Sequence, residues 1–174
     1  MRRGGWGLRR RGGEMEDKTE GVMKIDLEFM EAAMEEARAG LAEGGVPIGA
    51  VLVEEGRIIG RGRNRRVQEE DQLIHAEIDC LRRSRLTGGY HGTTLYSTMM
   101  PCYLCAGATV QFGIKRVVAG EAESAPQARG FMEAHGIEVV DLDLQEPKEL
   151  LAEFISRYPG LWDEFLAECS PDIF

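Results

Sequence analysis

Two short motifs restrict this chain more than any other feature of its sequence, because their side chains make chemical sense only together. The first is His75-Ala76-Glu77 and the second is Pro101-Cys102-Tyr103-Leu104-Cys105. One imidazole and two thiols are ligands that Zn²⁺ prefers, arranged as part of a tetrahedron around the ion. The fold must therefore bring the segment that begins at His75 beside the segment that follows Pro101.

The number of ligands indicates which kind of zinc site to expect. A catalytic site has three protein ligands and keeps the fourth position for water, whereas a structural site has four. His75, Cys102 and Cys105 make three, so we expect one zinc ion per chain with an open position. The other His and Cys residues have no ligand spacing to these three. We interpret them as a core thiol, an incidental thiol and two loop side chains: Cys80, Cys169, His91 and His135.

The motifs also predict their local backbone. Pro101 suits the first turn of a helix, where its missing N–H would be unpaired anyway. If Cys102 and Cys105 open that helix, free N–H groups and the helix dipole favour both thiolates, and the i, i+3 spacing puts the sulfurs on one face. His75 and Glu77 would diverge by about 200° in a regular helix. We therefore expect His75 at the start of a helix, where the backbone is not yet helical.

Glu77 is the candidate proton carrier. Zinc lowers the pKa of a bound water to about 7, and a neighbouring carboxylate can take the proton and pass it to a substrate. Either motif alone is a weak signal, since a C-x-x-C pair also occurs in redox sites and in structural zinc sites. Together, H-x-E followed by P-C-x-x-C is typical of zinc-dependent nucleobase deaminases.

Length and cysteine usage restrict the class of protein. A chain of 174 residues is long enough for one domain with a substantial core. It contains four Cys. Because two of them are assigned to metal, we expect no disulfide framework and a reducing, cytoplasmic environment. The sequence has no run of about 20 apolar residues, so we expect no membrane span.

The charge is distributed unevenly along the chain. Residues 1–22 carry six basic and four acidic side chains, whereas the remaining residues carry 15 basic and 26 acidic ones. We expect 1–22 to be a disordered basic extension and 23–174 to be the zinc-dependent deaminase domain. Two interpretations of the extension stay open: an arm that contacts nucleic acid, or an artefactual stretch ahead of a true start at Met15 or Met23.

Hydrophobic spacing predicts helices alternating with strands, and hence an α/β fold in which one sheet is covered on both faces. Asp26 is the candidate N-cap of a first helix that ends at Gly44-Gly45, with core positions at helical spacing: Leu27, Met30, Met34, Ala37 and Leu41. Five strands are predicted at Ile48–Val53, Arg57–Gly62, Thr93–Thr98, Arg116–Ala119 and Ile137–Val140. Further helices are predicted at His75–Arg85, Cys102–Phe112, Ala128–Ala134, Glu146–Arg157 and Leu161–Cys169.

From about Asp26 to Glu168 the chain resembles the fungal-type cytosine deaminases of the cytidine deaminase-like superfamily. Besides the two zinc motifs, the matching segments include Glu43–Gly49, Gly60–Asn64, Thr93–Tyr96, Gly113-Ile114, Gly136–Val140 and Trp162. The resemblance implies a three-layer α/β/α fold with a five-stranded mixed sheet, usually as a homodimer. It also implies zinc on His75, Cys102 and Cys105, with Glu77 as the proton shuttle.

The resemblance further implies a set of substrate contacts. Asn64 would hydrogen-bond the base, although Asn is also favoured in turns for its own sake. Ile48 and Trp162 would form apolar walls, although Trp162 also suits plain helix packing. The backbone N–H of Ala76 and the backbone C=O of Met100 would complete the polar contacts.

Two departures from the family pattern put the substrate in doubt. The family has an acidic residue three positions after the pocket Trp, where this chain has Phe165; Asp163 and Glu164 are the nearby acidic candidates. The family also has an aromatic lid in a loop that corresponds to Ala122–Gly130, where this chain has no aromatic residue. A roomier pocket would admit a purine, isocytosine or an amino-triazine.

Three functions follow from these patterns. The leading one is a zinc-dependent hydrolytic deaminase of a free base, cytosine or a related amino-pyrimidine or triazine, as in pyrimidine salvage; guanine or another purine is the alternative base. The second is a tRNA adenosine deaminase, with a basic rim at Arg61, Arg63, Arg65, Arg66, Arg82, Arg83 and Arg85. Residues 133–174 carry 11 acidic and two basic side chains, so we expect no nucleic-acid partner. The third is a non-catalytic zinc scaffold, which leaves Glu77 without a role.

Overall fold

A five-stranded mixed sheet forms the centre of the protein. A computed structural model describes residues 11–84, 86 and 89–169. The sheet has the strand order β2-β1-β3-β4-β5, with the bounds β1 Gly49–Glu54, β2 Arg57–Arg63, β3 Thr93–Ser97, β4 Arg116–Ala119 and β5 Glu138–Asp141. Strand β1 pairs antiparallel with β2 and β3, whereas β3, β4 and β5 run parallel. The expected α/β fold with a five-stranded mixed sheet is confirmed.

The helices follow the predicted order, with small differences at their ends except at the start of the first helix. Their bounds are α1 Arg11–Ala42, α2 Arg66–Glu69, α3 Ala76–Ser84, α4 Tyr103–Phe112, α5 Arg129–Ala134, α6 Gln145–Arg157 and α7 Pro159–Cys169. The short helix α2 lies in a segment that the sequence predicts as a loop. Among the described residues, no helix is both long enough and apolar enough to cross a membrane.

Both faces of the sheet are buried, which requires a layer of helices on each side. Side chains alternate along a strand, and one face carries Val51, Val53, Tyr96 and Val118 against Met30 and Ala33 of α1. The opposite face belongs to the larger core cluster, together with buried side chains of α3 and α4: Ala50, Leu52, Leu95, Val117, Cys80, Leu81 and Ala106. Met30 and Cys80 are thus core residues, as expected.

Two glycines let the helices approach the β1–β2 pair closely. A Cβ atom on Gly49 would lie 2.1 Å from the backbone oxygen of Ala33 in α1. A Cβ atom on Gly62 would lie 2.2 Å from the backbone nitrogen of Cys80 in α3. Helix α3 therefore lies directly against the sheet, and this contact fixes the start of α3 relative to the strand ends.

The first helix begins earlier than the sequence predicts. Asp26 was expected to cap it, but α1 starts at Arg11 and Asp26 lies within the helix with 3% exposure. Its carboxylate accepts two hydrogen bonds from Arg116 on β4, each 2.8 Å long, and one from the Tyr96 hydroxyl. The prediction of Asp26 as N-cap is wrong because its partners lie across the sheet, not in the adjacent backbone. Residues 11–22 of the expected extension belong to α1, and the rest of that extension lies outside the described residues.

The sheet topology determines where the functional side chains meet. Strands β3 and β4 are parallel, so their carboxyl ends lie at the same edge of the sheet. The chain leaves β3 at Ser97 toward the start of α4, and leaves β4 at Ala119 toward the loop before α5. Because Gly49 N–H donates to Thr98 Oγ1 (3.1 Å), the segment before β1 lies at this edge as well.

Candidate active site

Three side chains that can hold a metal ion meet where α3 and α4 begin. His75 Nδ1 lies 3.4 Å from the Cys102 sulfur and 3.6 Å from the Cys105 sulfur. The three ligand atoms all lie within 4.8 Å of one another. Because Nδ1 faces both sulfurs, it is the ring nitrogen that can bind the metal.

These distances fit a tetrahedral zinc ion. With Zn–N bonds of about 2.0 Å and Zn–S bonds of about 2.3 Å, a nitrogen and a sulfur ligand stand about 3.5 Å apart. The two observed separations, 3.4 and 3.6 Å, lie on either side of that value. His75, Cys102 and Cys105 would therefore hold zinc, with a fourth position left open.

The local backbone agrees with the sequence at His75 and differs at Pro101. His75 directly precedes α3, and its C=O accepts the Asp79 N–H at 2.9 Å. Cys102 is the N-cap of α4, with extended backbone angles, and Pro101 therefore lies outside the helix and not in its first turn. Because the backbone is extended at this N-cap, the Cys102 side chain points toward the first turn of α4, which contains Cys105.

Burial, more than the helix start, governs the protonation of Cys105. Its pKa is raised well above the usual value by burial, and Cys102 and Glu77 raise it further. Without a metal ion, burial therefore opposes the thiolate of Cys105 that the start of α4 was expected to favour. Since zinc binds the thiolate, metal binding at this residue releases a proton. Burial lowers the pKa of His75, but the hydrogen bond and charge of Cys102 outweigh burial and leave the pKa raised.

Glu77 lies in the first turn of α3 with its two carboxylate oxygens in different surroundings. Oε1 accepts a hydrogen bond from the Ser97 hydroxyl at 3.2 Å, and Oε2 lies 3.3 Å from the Cys105 sulfur. Burial raises the pKa of Glu77, the Cys102 thiolate adds to this, and His75 opposes it. The carboxyl group is thus close enough to the ligand set to exchange a proton with a water in the open position.

Asn64 has a side-chain amide donor without a hydrogen-bond partner in the described part of the chain, and it lines a cavity next to the zinc ligands. Its side chain is fully buried, and Oδ1 accepts the Arg66 N–H at 3.2 Å. Its backbone N–H donates to the C=O of Ile48 at 2.9 Å, which ties two cavity residues together. The side-chain Nδ2 has no hydrogen-bond partner in the described part of the chain. A buried donor without a partner costs about 1–3 kcal/mol, so an acceptor on a bound molecule would satisfy this amide.

A small cavity adjoins the ligand set. Its volume is about 20 Å³, enough for about one water molecule. Trp162 and Phe165 of α7 stack with centroids 5.1 Å apart, and the Phe165 ring lies 5.5 Å from the His75 ring. The lining residues are Ile48, Asn64, His75, Glu77, Met99, Met100, Cys102, Ser124, Ala125, Gln127, Trp162, Phe165 and Leu166. A ring-sized ligand fits only after part of this wall moves.

Comparison with known families identifies this site. Residues 23–121 match the model of the cytidine and deoxycytidylate deaminase zinc-binding region. The chain belongs to this deaminase family. A cytosine deaminase of Candida albicans is 35% identical over 146 residues, which cover 82% of this chain and 97% of that protein. The expected zinc cofactor and family are thereby confirmed, and the chain is a zinc-type hydrolytic deaminase.

Other members of the deaminase family differ in how much of this chain they match. A tRNA-specific adenosine deaminase of Bacillus subtilis is 43% identical over 101 residues, covering 56% of this chain and 63% of that protein. The structure of a guanine deaminase from Nitrosomonas europaea superposes with a TM-score of 0.64 at 26% identity, covering 74% of this chain and 83% of that chain. Similarity to the family thus leaves the substrate open.

The structure brings most of the predicted site residues of this deaminase to the cavity. Ile48, Asn64, Met100 and Trp162 line it together with Glu77 and two of the three zinc ligands, His75 and Cys102. Ala76 is fully buried between His75 and Glu77 and is not among the described lining residues.

The acidic candidates on α7 do not reach the cavity. Asp163 and Glu164 are exposed, whereas Trp162 and Phe165 are 8% and 4% exposed. Residues three apart on a helix share a face, so Trp162 and Phe165 turn inward together and the two residues between them turn outward. Asp163 and Glu164 are therefore not among the described lining residues, and their role as substrate contacts stays a prediction.

Sequence reasoning missed several lining residues of the deaminase. Phe165 and Leu166 follow Trp162 at i+3 and i+4, so helical spacing alone was a sufficient signal for them. Ser124 and Gln127 carry no local signal, because the loop after β4 is brought to the site only by the parallel pairing of β3 and β4. The Tyr103 hydroxyl donates to the Gln127 C=O at 3.1 Å and holds this loop against the start of α4.

Proposed function

We propose that the chain deaminates a free nucleobase by hydrolysis, with cytosine or a related amino-pyrimidine or amino-triazine as substrate. The observation that carries the proposal is the unpaired Nδ2 of buried Asn64 in a small cavity that is also lined by Glu77 and by the zinc ligands His75 and Cys102. An amide donor requires an acceptor, and amino-heterocycles have a ring nitrogen or carbonyl oxygen for this role. A substrate without such an acceptor leaves the Asn64 donor unpaired and binds poorly.

The C-terminal helices support a small substrate. Trp162, Phe165 and Leu166 of α7 form one wall of the cavity. The Candida cytosine deaminase matches 82% of this chain, whereas the B. subtilis tRNA-specific deaminase matches 56%. A helix that forms one wall of the site suits a compact ring more than a nucleotide held in an RNA chain, because a ring needs less of that wall to move.

Glu77 performs the proton transfers in the proposed reaction. When bound, zinc supplies Lewis acidity and makes water a nucleophile near neutral pH. Glu77 takes a proton from the attacking water and returns it to the ring nitrogen beside the carbon that is attacked. It then transfers the second proton of that water to the exocyclic amine, which leaves as ammonia while the ring carbon becomes a carbonyl. His75, Cys102 and Cys105 hold the site, and Asn64 orients the ring.

The arginines that suggested an RNA-binding rim are engaged with acidic side chains. Arg61 pairs with Glu35, and Arg63 pairs with Glu36 and Glu43. Three further arginines surround a single buried carboxylate, that of Asp79: Arg65, Arg82 and Arg83. Arg66 lies over the Phe165 ring at 5.8 Å, and Arg85 lies outside the described residues. Paired arginines attract phosphate weakly, which disfavours the tRNA alternative.

Guanine is the second candidate substrate. It is supported by the similarity to the guanine deaminase of N. europaea, and by the absence of any acidic side chain besides Glu77 among the described lining residues. Without a second carboxylate to accept a hydrogen bond from a pyrimidine ring N–H, the cavity does not require a pyrimidine.

The alternative of a non-catalytic zinc scaffold gives no reason for a buried carboxylate 3.3 Å from a zinc-ligand sulfur.

We also propose that residues 23–174 form the deaminase domain and act as a homodimer in the cytoplasm, in pyrimidine salvage. Helix α4 contains no charged residue, yet its Tyr103, Leu104 and Phe112 side chains are exposed. Exposed apolar side chains of this kind suit contact with a second copy of the chain. Light scattering at assay concentration tests the dimer, and a monomeric mass would contradict it.

Ammonia release is the assay that tests the proposed function. The zinc-loaded protein is incubated with cytosine, isocytosine, guanine, adenine and amino-triazines, and with the matching nucleosides. We expect release from one or more free bases, with cytosine or a related ring as the best substrate. Release from cytidine but from no free base would contradict the proposal, as would release from adenosine in tRNA alone.

A further inference from the structure

We propose that Ser97 is a positioning residue for the deamination, because its hydroxyl sets which oxygen of Glu77 faces the zinc ligands. This inference rests on the proposed function, in which Glu77 transfers the protons. Ser97 is the last residue of β3 and is completely buried. It belongs to neither sequence motif and does not line the cavity in the described part of the chain, so it acts through Glu77 alone.

The two oxygens of Glu77 have distinct partners. Oε1 accepts the Ser97 hydroxyl at 3.2 Å. Oε2 lies 3.3 Å from the Cys105 sulfur, on the side of the ligand set. With Oε1 occupied by Ser97, Oε2 is the oxygen left to exchange a proton with water or substrate.

The sheet provides space for this contact by placing small side chains in one row. Ser97 pairs with Ala50 on β1 and with Ala119 on β4. This row continues the face that carries Leu52, Leu95 and Val117, on the same side of the sheet as α3. The Ser97 hydroxyl is therefore a single polar group between two methyl groups, and the Glu77 carboxylate occupies the space above it.

A fixed donor is needed here because a glutamate carboxylate turns easily. The terminal torsion of Glu is broad and roughly two-fold, so the side chain alone does not select one orientation of its oxygens. A hydroxyl that donates to a carboxylate makes a directional hydrogen bond, and at 3.2 Å this one is long but still favours one orientation of the carboxylate. Ser97 thus holds the carboxylate plane in one orientation before substrate binds, which is the preorganisation that proton transfer requires.

Kinetics of three variants test this role with cytosine as the probe. Ser97→Ala removes the donor, and we expect kcat to fall about tenfold, the scale for losing one hydrogen bond to a charged group. KM should stay within about twofold and zinc content should be unchanged, because neither substrate nor metal touches Ser97. Ser97→Thr retains the hydroxyl and should keep kcat within about threefold of wild type.

A buried hydroxyl at the other end of the same strand provides the matched control. Thr93 is 3% exposed, and its Oγ1 donates to the Tyr90 C=O at 2.7 Å, far from Glu77. Thr93→Val removes that hydroxyl at nearly constant volume, and we expect kcat within about twofold of wild type. If Thr93→Val lost as much kcat as Ser97→Ala, the effect would be a general destabilisation of β3, and the proposal would be overturned.

A structural readout separates this inference from the proposed function. Crystals of the zinc-loaded wild type should show Glu77 Oε1 on the Ser97 hydroxyl, and those of Ser97→Ala should show the carboxylate rotated or in more than one orientation. A single unchanged orientation in Ser97→Ala would overturn the positioning role, whatever the turnover. If no base in the panel releases ammonia while the carboxylate does reorient, the proposed function fails and the positioning of Glu77 by Ser97 stands.

Discussion

The zinc-binding half and the substrate-binding half of the site are built in different ways. The zinc half comes from two short motifs, each at the start of a helix, with separations of 3.4 and 3.6 Å between ligand atoms. The substrate half draws residues from the positions just before β1 and just after β2, from the loops after β3 and β4, and from α7. The first half is fixed by local backbone geometry, and the second by how distant segments pack.

This difference explains why the substrate can vary among members of the family while the zinc site stays the same. Relatives named as cytosine and tRNA-specific adenosine deaminases match this chain at 35% and 43% identity. The zinc half needs the same ligand spacing for any of these reactions, whereas a loop or a terminal helix can change without disturbing it. Variants of the zinc half should therefore lose the reaction, and variants of the substrate half should change which ring reacts and how tightly it binds.

The largest effect is expected for the zinc ligands. Cys105→Ser should reduce zinc content far below one ion per chain and lower turnover by about 10³ or more, because a three-ligand site has no spare ligand. Metal analysis and ammonia release measure the two losses. Cys80→Ser is the control, since Cys80 is equally buried but lies away from the ligand set and should keep its zinc. Full zinc content in Cys105→Ser would contradict the ligand assignment.

Glu77→Gln should show the next largest effect. It keeps the shape of the side chain and its hydrogen bond from Ser97 but cannot carry a proton, so turnover should fall by about 10² or more. Zinc content and the melting temperature are measured alongside and should stay close to wild type. Near-normal turnover by this variant would show that another group transfers the proton.

Asn64→Asp tests the substrate half with a smaller expected effect. The substitution retains an oxygen for the Arg66 N–H, replaces the free Nδ2 donor with a second oxygen, and adds a buried carboxyl group. We expect kcat/KM for the best base to fall by about tenfold to a hundredfold, the range for one lost hydrogen bond in a dry site. Zinc content should not change. If kcat/KM stays within twofold of wild type, Asn64 is a turn residue and not a substrate contact.

The smallest effects are expected on α7, where its two faces can be compared. Phe165→Leu removes the ring that stacks on Trp162, and KM should rise about threefold to tenfold with little change in kcat. Asp163→Asn and Glu164→Gln alter exposed residues and should leave KM within about twofold. Larger effects from the exposed pair than from Phe165 would mean that α7 presents a different face to the substrate.

Sequence reasoning located the strands well where burial is continuous. Strand β4 lies at Arg116–Ala119 as predicted, because a short continuous apolar run is typical of a parallel strand that is buried on both faces. The start of α1 was wrong, since the side chains of residues 20–25 are exposed and carry no apolar periodicity. The role of Asp26 depends on Arg116, a partner 90 residues away, and no local pattern indicates such a contact.

The same contrast applies to the site. The ligand spacing predicted the zinc half because two helix starts determine where three side chains point. The substrate half was predicted only in part: Asn64 and Trp162 reach the cavity, but Asp163 and Glu164 do not. Ser97 was missed because a serine in a strand has no distinctive pattern, and its role appears only when β3 and α3 pack together.

The central claim is that this deaminase acts on a free base and not on a nucleoside within RNA. The most direct measurement is kcat/KM of the zinc-loaded wild type for cytosine and guanine, set beside their nucleosides and an unmodified tRNA in the same ammonia assay. We expect at least one free base to exceed its nucleoside by about a hundredfold, since α7 forms one wall of the cavity and a ribose would require that wall to move further than a base does. A tRNA or nucleoside substrate that outperforms both free bases would contradict the account.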